Sequence, residues 1–279
     1  MVVRRRIYQM LFVVVLCGTI SLSACGQQGG GEVQKNAQQQ EQTQQGAEVV
    51  DSEQTVDKSD SPSGSDASNK AVDKTEAEQN EPSADELRAA LNITELYHDE
   101  LAHGQKPASC QKYIVMHDTE GGGTGENVVD YWLSAGKFVA AHFVVNKDGS
   151  IVQCVPMDQI AHHAGYGNTG HNQKFGVEDE SRDDKRGTVP IGDDLADYGM
   201  NSYSIGIEMI HEGATGEDYP EEQLKAVDKL IAYIDAYYGN KSEIIDHKTW
   251  RLYNSDCSKE FDQYMENYGK TRTHDGSKA

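Results

Sequence analysis

Basic residues are scarce in this chain: 25 lysines and arginines stand against 46 aspartates and glutamates, a formal net charge of -21 over 279 residues. That balance excludes nucleic acid as a partner, because binding to a phosphate backbone draws on counterion release and needs a basic footprint. Cysteine is also sparse. Of the five, Cys17 and Cys25 fall in the N-terminal leader. Cys110, Cys154 and Cys257 remain, an odd number, so in an exported domain one thiol does something other than pair internally. The longest apolar stretch, Ile7 to Ile20, is too short to span a bilayer comfortably. From Gly26 to about Glu86 large apolar side chains are almost missing. Such a segment cannot bury enough surface to offset the entropy of ordering it. The acidic clusters Glu178-Asp179-Glu180 and Asp183-Asp184 lack the regular alternation of an EF-hand loop, so calcium is not expected.

What is present begins with location. Arg4-Arg5-Arg6 precedes the apolar stretch, and Leu22-Ser23-Ala24-Cys25 closes it with small residues, the layout of a secretory signal. The tetrapeptide resembles the bacterial lipobox, in which the signal is cut before the cysteine and the thiol takes lipid. The resemblance implies a mature chain beginning at Cys25 and anchored by lipid to the bacterial membrane, outside the cytoplasm. The organisation expected is a signal over 1–24, a disordered Gln/Glu/Ser-rich tether over 25–86 and one compact domain over 87–279. A flexible tether of that length has a root-mean-square reach on the order of 40 Å, enough to let an anchored domain move through a polymer layer.

Within the domain the pattern alternates. Ser83 caps a helix-like start at Ala84, and Tyr113 to Met116 reads as a short buried strand. A glycine loop, Gly121 to Gly125, leads to a helix over Asn127 to Ser134. Ala140 to Asn146 and Ser150 to Val155 flank Lys147-Asp148-Gly149, a hairpin signal. Ser204 to Ile210 is a further strand. Pro220 opens an amphipathic helix with Leu224, Val227, Leu230, Ile231 and Ile234 on one side, ending before Gly239. Glu243 to Ile245 forms a last strand. The long segment Gly167 to Met200 reads as a loop. This order implies an α/β domain with a central mixed β-sheet flanked by helices.

Two segments carry the chemistry. His117 ends the run Tyr113-Ile114-Val115-Met116, and His247 ends Ile244-Ile245-Asp246, with Asp256-Cys257 close behind. Two imidazoles and one anionic side chain make a catalytic zinc set with a fourth position left open. Either Asp256 or Cys257 suits the third place. A disulfide between Cys110 and Cys154 would leave Cys257 for metal; three free thiols are the alternative.

Five ordered blocks, Tyr113 to His117, Ala141 to Gln153, His162-His163-Ala164-Gly165, Ser204-Ile205-Gly206-Ile207-Glu208 and His247 through Phe261, resemble the type 2 N-acetylmuramoyl-L-alanine amidases. These are related to the phage lysozyme-type amidases and the peptidoglycan recognition proteins. The resemblance spans about Gln111 to Tyr264. It implies zinc-dependent hydrolysis of the amide between the muramyl lactyl group and the first stem residue of peptidoglycan, by a monomer. It places His117 and His247 on zinc and, third, Cys257 in preference to Asp256, because a thiolate binds zinc more tightly. It implies Glu208 as the general base, since the tyrosine that some members use is Ala141 here. It marks His163 and His142 as substrate contacts, and His162 as a replacement for a packing aromatic. The family's oxyanion lysine, two positions before the third ligand, corresponds to Ser255, or to Asn254 if Asp256 is that ligand. That departure keeps a second function class open, a wall-binding or sensing module without turnover.

Overall fold

The computed structural model describes residues 81–190, 192, 195–213 and 216–277. The expected signal, Cys25 and most of the expected tether lie outside the described residues. Helix α1 (Ala84–Ala89) starts inside the segment assigned to the tether, because Ser83 and Glu86 close a reciprocal capping box. Among the described residues no helix is long and apolar enough to cross a membrane.

The strands are β1 (Ile93–Glu95), β2 (Tyr113–Asp118), β3 (Phe143–Val145), β4 (Ile151–Gln153), β5 (Ser204–Met209) and β6 (Glu243–Asp246). They form one mixed sheet in the order β1-β4-β3-β5-β2-β6. Only β3 and β4 pair antiparallel, across the hairpin in which Gly149 takes φ 81°. β5 and β2 are interior and parallel to their neighbours. An interior parallel strand is covered on both faces, which accounts for the unbroken apolar run of Ile114-Val115-Met116.

Strand periodicity sorts the two faces. Ile114, Met116, Ile205, Ile207 and Met209 pack with Leu224, Val227, Leu230, Ile231 and Ile234 of the helix Glu221–Tyr238. The other helices are α2 (Gly125–Ala135), α3 (His171–Phe175), α4 (Met200–Tyr203), α5 (Glu221–Tyr238), α6 (His247–Trp250) and α7 (Asp262–Thr271). Each fully buried aliphatic side chain of α5 contributes about 1.5–3 kcal/mol. Gly239, at φ 68°, ends this helix in the left-handed cap that glycine favours. On the opposite face Val144 and Val152 pack with Val129 and Trp132 of α2, while Tyr113, Val115 and Ile245 pack with Met200 and Trp250. His117, Ser204, Gly206 and Glu208 fall on this second face by the same alternation.

The expected elements are present with shifted ends. α2 begins two residues early because Thr124 caps it through the backbone N–H of Asn127. β1, α4 and α7 were not expected: each is short or polar, and they pack on β4, β5 and β6 respectively. The segment 167–200 contains α3 and an isolated bridge between Gly167 and Asp197, and is otherwise irregular among its described residues.

Candidate metal centre

β2, β5 and β6 run parallel and end side by side. His117 is in register with Glu208, and Met116 with Asp246, so His247 follows alongside His117. The carboxyl ends of parallel strands are where open α/β sheets place their ligands. Asp246 turns the chain there. Its Oδ1 accepts the N–H of Thr249 at 2.8 Å, making His247 the first residue of α6. The chain then returns through residues 251–258. Asp118, the neighbour of His117 on β2, anchors that return: its Oδ2 accepts the N–H of Ser258 at 2.7 Å and the hydroxyl of Tyr219 at 2.7 Å.

The return delivers Asp256 to both imidazoles. His117 Nδ1 lies 3.1 Å from Asp256 Oδ2, and His247 Nδ1 lies 2.8 Å from Asp256 Oδ1. The two rings are 4.6 Å apart, and one ligand atom from each of the three residues falls within 4.8 Å of the others. Tetrahedral zinc with bonds of about 2.0–2.2 Å separates its donors by roughly 3.4 Å, close to this spacing. Asp256 Oδ1 is buried and makes no hydrogen bond despite its nearness to His247 Nδ1. The other nitrogen of His247 explains why. Nε2 lies 2.9 Å from the carbonyl of Ala164, which can only accept, so Nε2 carries a hydrogen, and a neutral ring then leaves on Nδ1 a lone pair that faces the carboxylate at 2.8 Å, with Asn254 Nδ2 at 3.2 Å beside it. Opposed lone pairs in a buried site call for a cation between them, and this donor set fits zinc. Burial alone would raise the Asp256 carboxyl, but positive charge on His117 and His247 outweighs it and holds it well below the usual range, and a cation supplies that charge when the rings are neutral.

The third member differs from the expectation of a thiolate. Cys257 is adjacent to Asp256 but fully buried in the apolar cluster with Phe261 and Tyr268 on the α5 side. In this irregular segment Asp256 turns to the imidazoles while the next side chain, Cys257, packs into the core. Burial, with Asp256 and Asp118 nearby, pushes its thiol well up, the reverse of what a thiolate ligand needs. Cys110, Cys154 and Cys257 are all free thiols.

Glu208, His163, Arg251 and Asp256 line a cleft of about 320 Å³ with His117 and His247. Burial, reinforced by Asp256, Asp118 and Glu120, raises the Glu208 carboxyl well above its ordinary value. His163 sits between the strands rather than free at the mouth. Its Nδ1 lies 3.0 Å from His117 Nε2, and its ring fills the space above Gly206, where a Cβ would stand 2.6 Å from His163 Cγ. His142 does not reach the cleft. It is fully buried, accepting the N–H of Gly206 at Nδ1 (3.1 Å) and bonding the carbonyl of Gln159 at Nε2 (3.0 Å). Burial lowers its pKa to about 3, so it is a neutral structural ring rather than the expected substrate contact. Of the basic residues near the C-terminal loop, Lys248 is tied to Asp246 and Asp262, and Arg251 is the one that lines the cleft.

His162 does pack as an aromatic, stacked on His103 with centroids 3.4 Å apart and planes 6° from parallel. Asp183 pairs with His162 at 2.8 Å and Asp184 with His103 at 3.1 Å, fastening the acidic loop whose residues 187–189 wall the cleft. Parallel rings cannot both aim lone pairs at one ion, so this second cluster is not a metal site as it stands. Sequence reading missed His103 and Asn201, which come from segments with no local periodic signal, and gave Ser204 no part beyond opening a strand.

A model of the N-acetylmuramoyl-L-alanine amidase family matches residues 105–260, more than half of the chain. Among solved structures, the chain is similar to N-acetylmuramoyl-L-alanine amidase LysC from Clostridium intestinale URNW, at 17% identity and a TM-score of 0.43, over 61% of this chain and 91% of that one. It is also similar to a mutant endolysin from Bacillus subtilis, at 20% identity and a TM-score of 0.43, over 63% and 96%. A third similar structure is the Staphylococcus aureus hydrolase AmiA in complex with its ligand, at 17% identity and a TM-score of 0.38, over 57% and 67%. No curated protein matches the chain in sequence. The matched region runs from before His117 to beyond Asp256 and takes in every residue of the cleft floor, and the chain belongs to the N-acetylmuramoyl-L-alanine amidase family.

Proposed function

We propose that this protein is a zinc-dependent amidase that cleaves the bond between N-acetylmuramoyl and L-alanine in peptidoglycan, outside the cytoplasm, on a lipid anchor at Cys25. Family membership supports amide hydrolysis in peptidoglycan. The observation that carries the metal reading is the convergence of His117, His247 and Asp256 within 4.8 Å, with a buried carboxylate oxygen left unbonded. His117 Nδ1, His247 Nδ1 and an Asp256 oxygen would hold the ion. Zinc bound there supplies Lewis-acid polarisation of the scissile carbonyl and brings the pKa of water to about 7.

The remaining work falls to side chains. Glu208, in register with His117 and raised by burial, is suited to take a proton from water at its carboxylate and return it to the leaving nitrogen. Arg251 brings a positive charge to the cleft, whereas Asn254 occupies the position two before Asp256. The acidic surface favours no anionic polymer of its own accord, so substrate selection rests on the cleft.

Incubating the zinc-loaded full chain with purified walls and analysing the products by mass spectrometry tests the reading. Free stem peptides beginning with alanine, together with glycan retaining its lactyl group, are expected. Wall binding without released stems would favour the non-catalytic module. Metabolic labelling with palmitate that persists in Cys25→Ser would overturn the anchor.

A further inference from the structure

A histidine can bind an ion only through the ring nitrogen that carries no hydrogen, so whatever sets the tautomer also sets whether the site works. Tracing hydrogens inward from α4 settles this for His117. The carbonyl of Met200 can only accept, which commits the Ser204 hydroxyl hydrogen to it at 2.7 Å. The Ser204 oxygen is then the acceptor for His163 Nε2 at 3.0 Å. His163 therefore has its hydrogen on Nε2 and is bare at Nδ1. That atom faces His117 Nε2 at 3.0 Å, so His117 donates there, and Nδ1, turned to the acceptor-only carboxylate of Asp256, is the nitrogen left to take a second proton or a cation.

A second path from the same helix serves the other ring. Asn201 Oδ1 accepts the backbone N–H of His163 at 3.1 Å and of Ala164 at 2.8 Å. This anchors the chain up to Ala164, whose carbonyl, in the next peptide along, takes the hydrogen of His247 Nε2 at 2.9 Å. Asn201 and Ser204 are fully buried. Gly206 keeps the relay open, since any Cβ would enter the His163 ring.

We propose that the segment Met200 to Ser204 sets the tautomer of both cleft histidines, with Ser204 and Asn201 as positioning residues that hold a hydrogen on both Nε2 atoms and so reserve both Nδ1 atoms for a cation. The inference rests on the zinc reading of the cleft but is tested separately from it. In the zinc-free full chain labelled with ¹⁵N-histidine, long-range ¹⁵N–¹H correlation spectra report each ring's tautomer. His117, His163 and His247 should all carry hydrogen on Nε2. Ser204→Ala should leave His163 as a mixture of tautomers and weaken zinc by about 10- to 100-fold in competition with a chromogenic chelator, the effect usual for groups that orient a ligand. Ser204→Thr keeps the hydroxyl and should restore one tautomer and most of the affinity.

A parental His163 with hydrogen on Nδ1 overturns the relay whatever the variants do. So does a Ser204→Ala protein with a single His163 tautomer and parental zinc affinity. A parent that binds no zinc but shows the three Nε2–H rings overturns the metal reading and leaves the relay standing. If Ser204→Ala does not fold, the parental spectrum decides.

Discussion

Exchanging the side chains at 256 and 257 one at a time separates metal binding from packing. Asp256 holds its oxygens 3.1 and 2.8 Å from the two imidazoles, while Cys257 is fully buried against Phe261 and Tyr268. Asp256→Asn removes the only negative charge of the triad, and zinc affinity should fall by more than about 100-fold, beyond the range seen for groups that merely orient a ligand. Cys257→Ser puts a hydroxyl into an apolar cluster at a cost of about 1–3 kcal/mol. For a domain of this size each kcal/mol lowers the melting temperature by about 2–4 °C, so a fall of about 2–12 °C is expected with zinc stoichiometry unchanged. Elemental analysis and calorimetry on the full chain measure both. A Cys257→Ser protein stripped of zinc, beside an Asp256→Asn protein that keeps it, would refute the assignment and restore the thiolate.

Glu208→Gln should keep zinc and wall binding while turnover drops by about 10² to 10⁴, the usual range for a general acid/base group, measured by stem release. The same variant has a signature in the zinc-free protein. Because folding raises the Glu208 pKa, its contribution to stability is present below the unfolded value and is lost as pH rises through the folded one. Glu208→Gln should therefore stabilise the zinc-free chain more at pH 8 than at pH 5; an equal shift at both would argue against a buried, proton-holding carboxyl. Gly206→Ala drives a methyl to 2.6 Å from His163 Cγ, where carbon atoms normally stop at about 3.5–4.0 Å. Overpacking of about 1–3 kcal/mol and weaker zinc binding should follow, and parental values for both would show that the ring has room to move.

Much of the cleft was legible because its donors ride on strands. His117 and His247 each end an apolar run whose period fixes which face they take, and Glu208 follows Ile205 and Ile207 with the same alternation. The choice between Asp256 and Cys257 was not legible. It depends on which way an irregular segment turns two neighbouring side chains, and that is fixed by Asp118, 138 positions before Asp256, holding the N–H of Ser258. His142 misled for a related reason: a histidine within an apolar strand resembles a functional one until the N–H of Gly206 and the carbonyl of Gln159 are seen to satisfy it. Ser204 looked like an ordinary strand start because its partners, Met200 and His163, are joined to it only by the fold.

The placement of Asp118 beside His117 has a mechanical consequence. Consecutive residues of one strand face opposite ways, so β2 presents a donor to the cleft with one and grips the donor-bearing return segment with the next. Any shift of β2 carries both along together, and the distance between His117 and Asp256 is insensitive to breathing of the sheet. His247 is tied to the return segment by other bonds, its carbonyl accepting the N–H of Arg251 at 2.8 Å and Asn254 Nδ2 lying 3.2 Å from its Nδ1. The separation of the two imidazoles is instead set by the pairing of β6 with β2, so substitutions along that pair of strands, and not along β2 alone, are the ones that would change the spacing of the donors and with it the ion that fits.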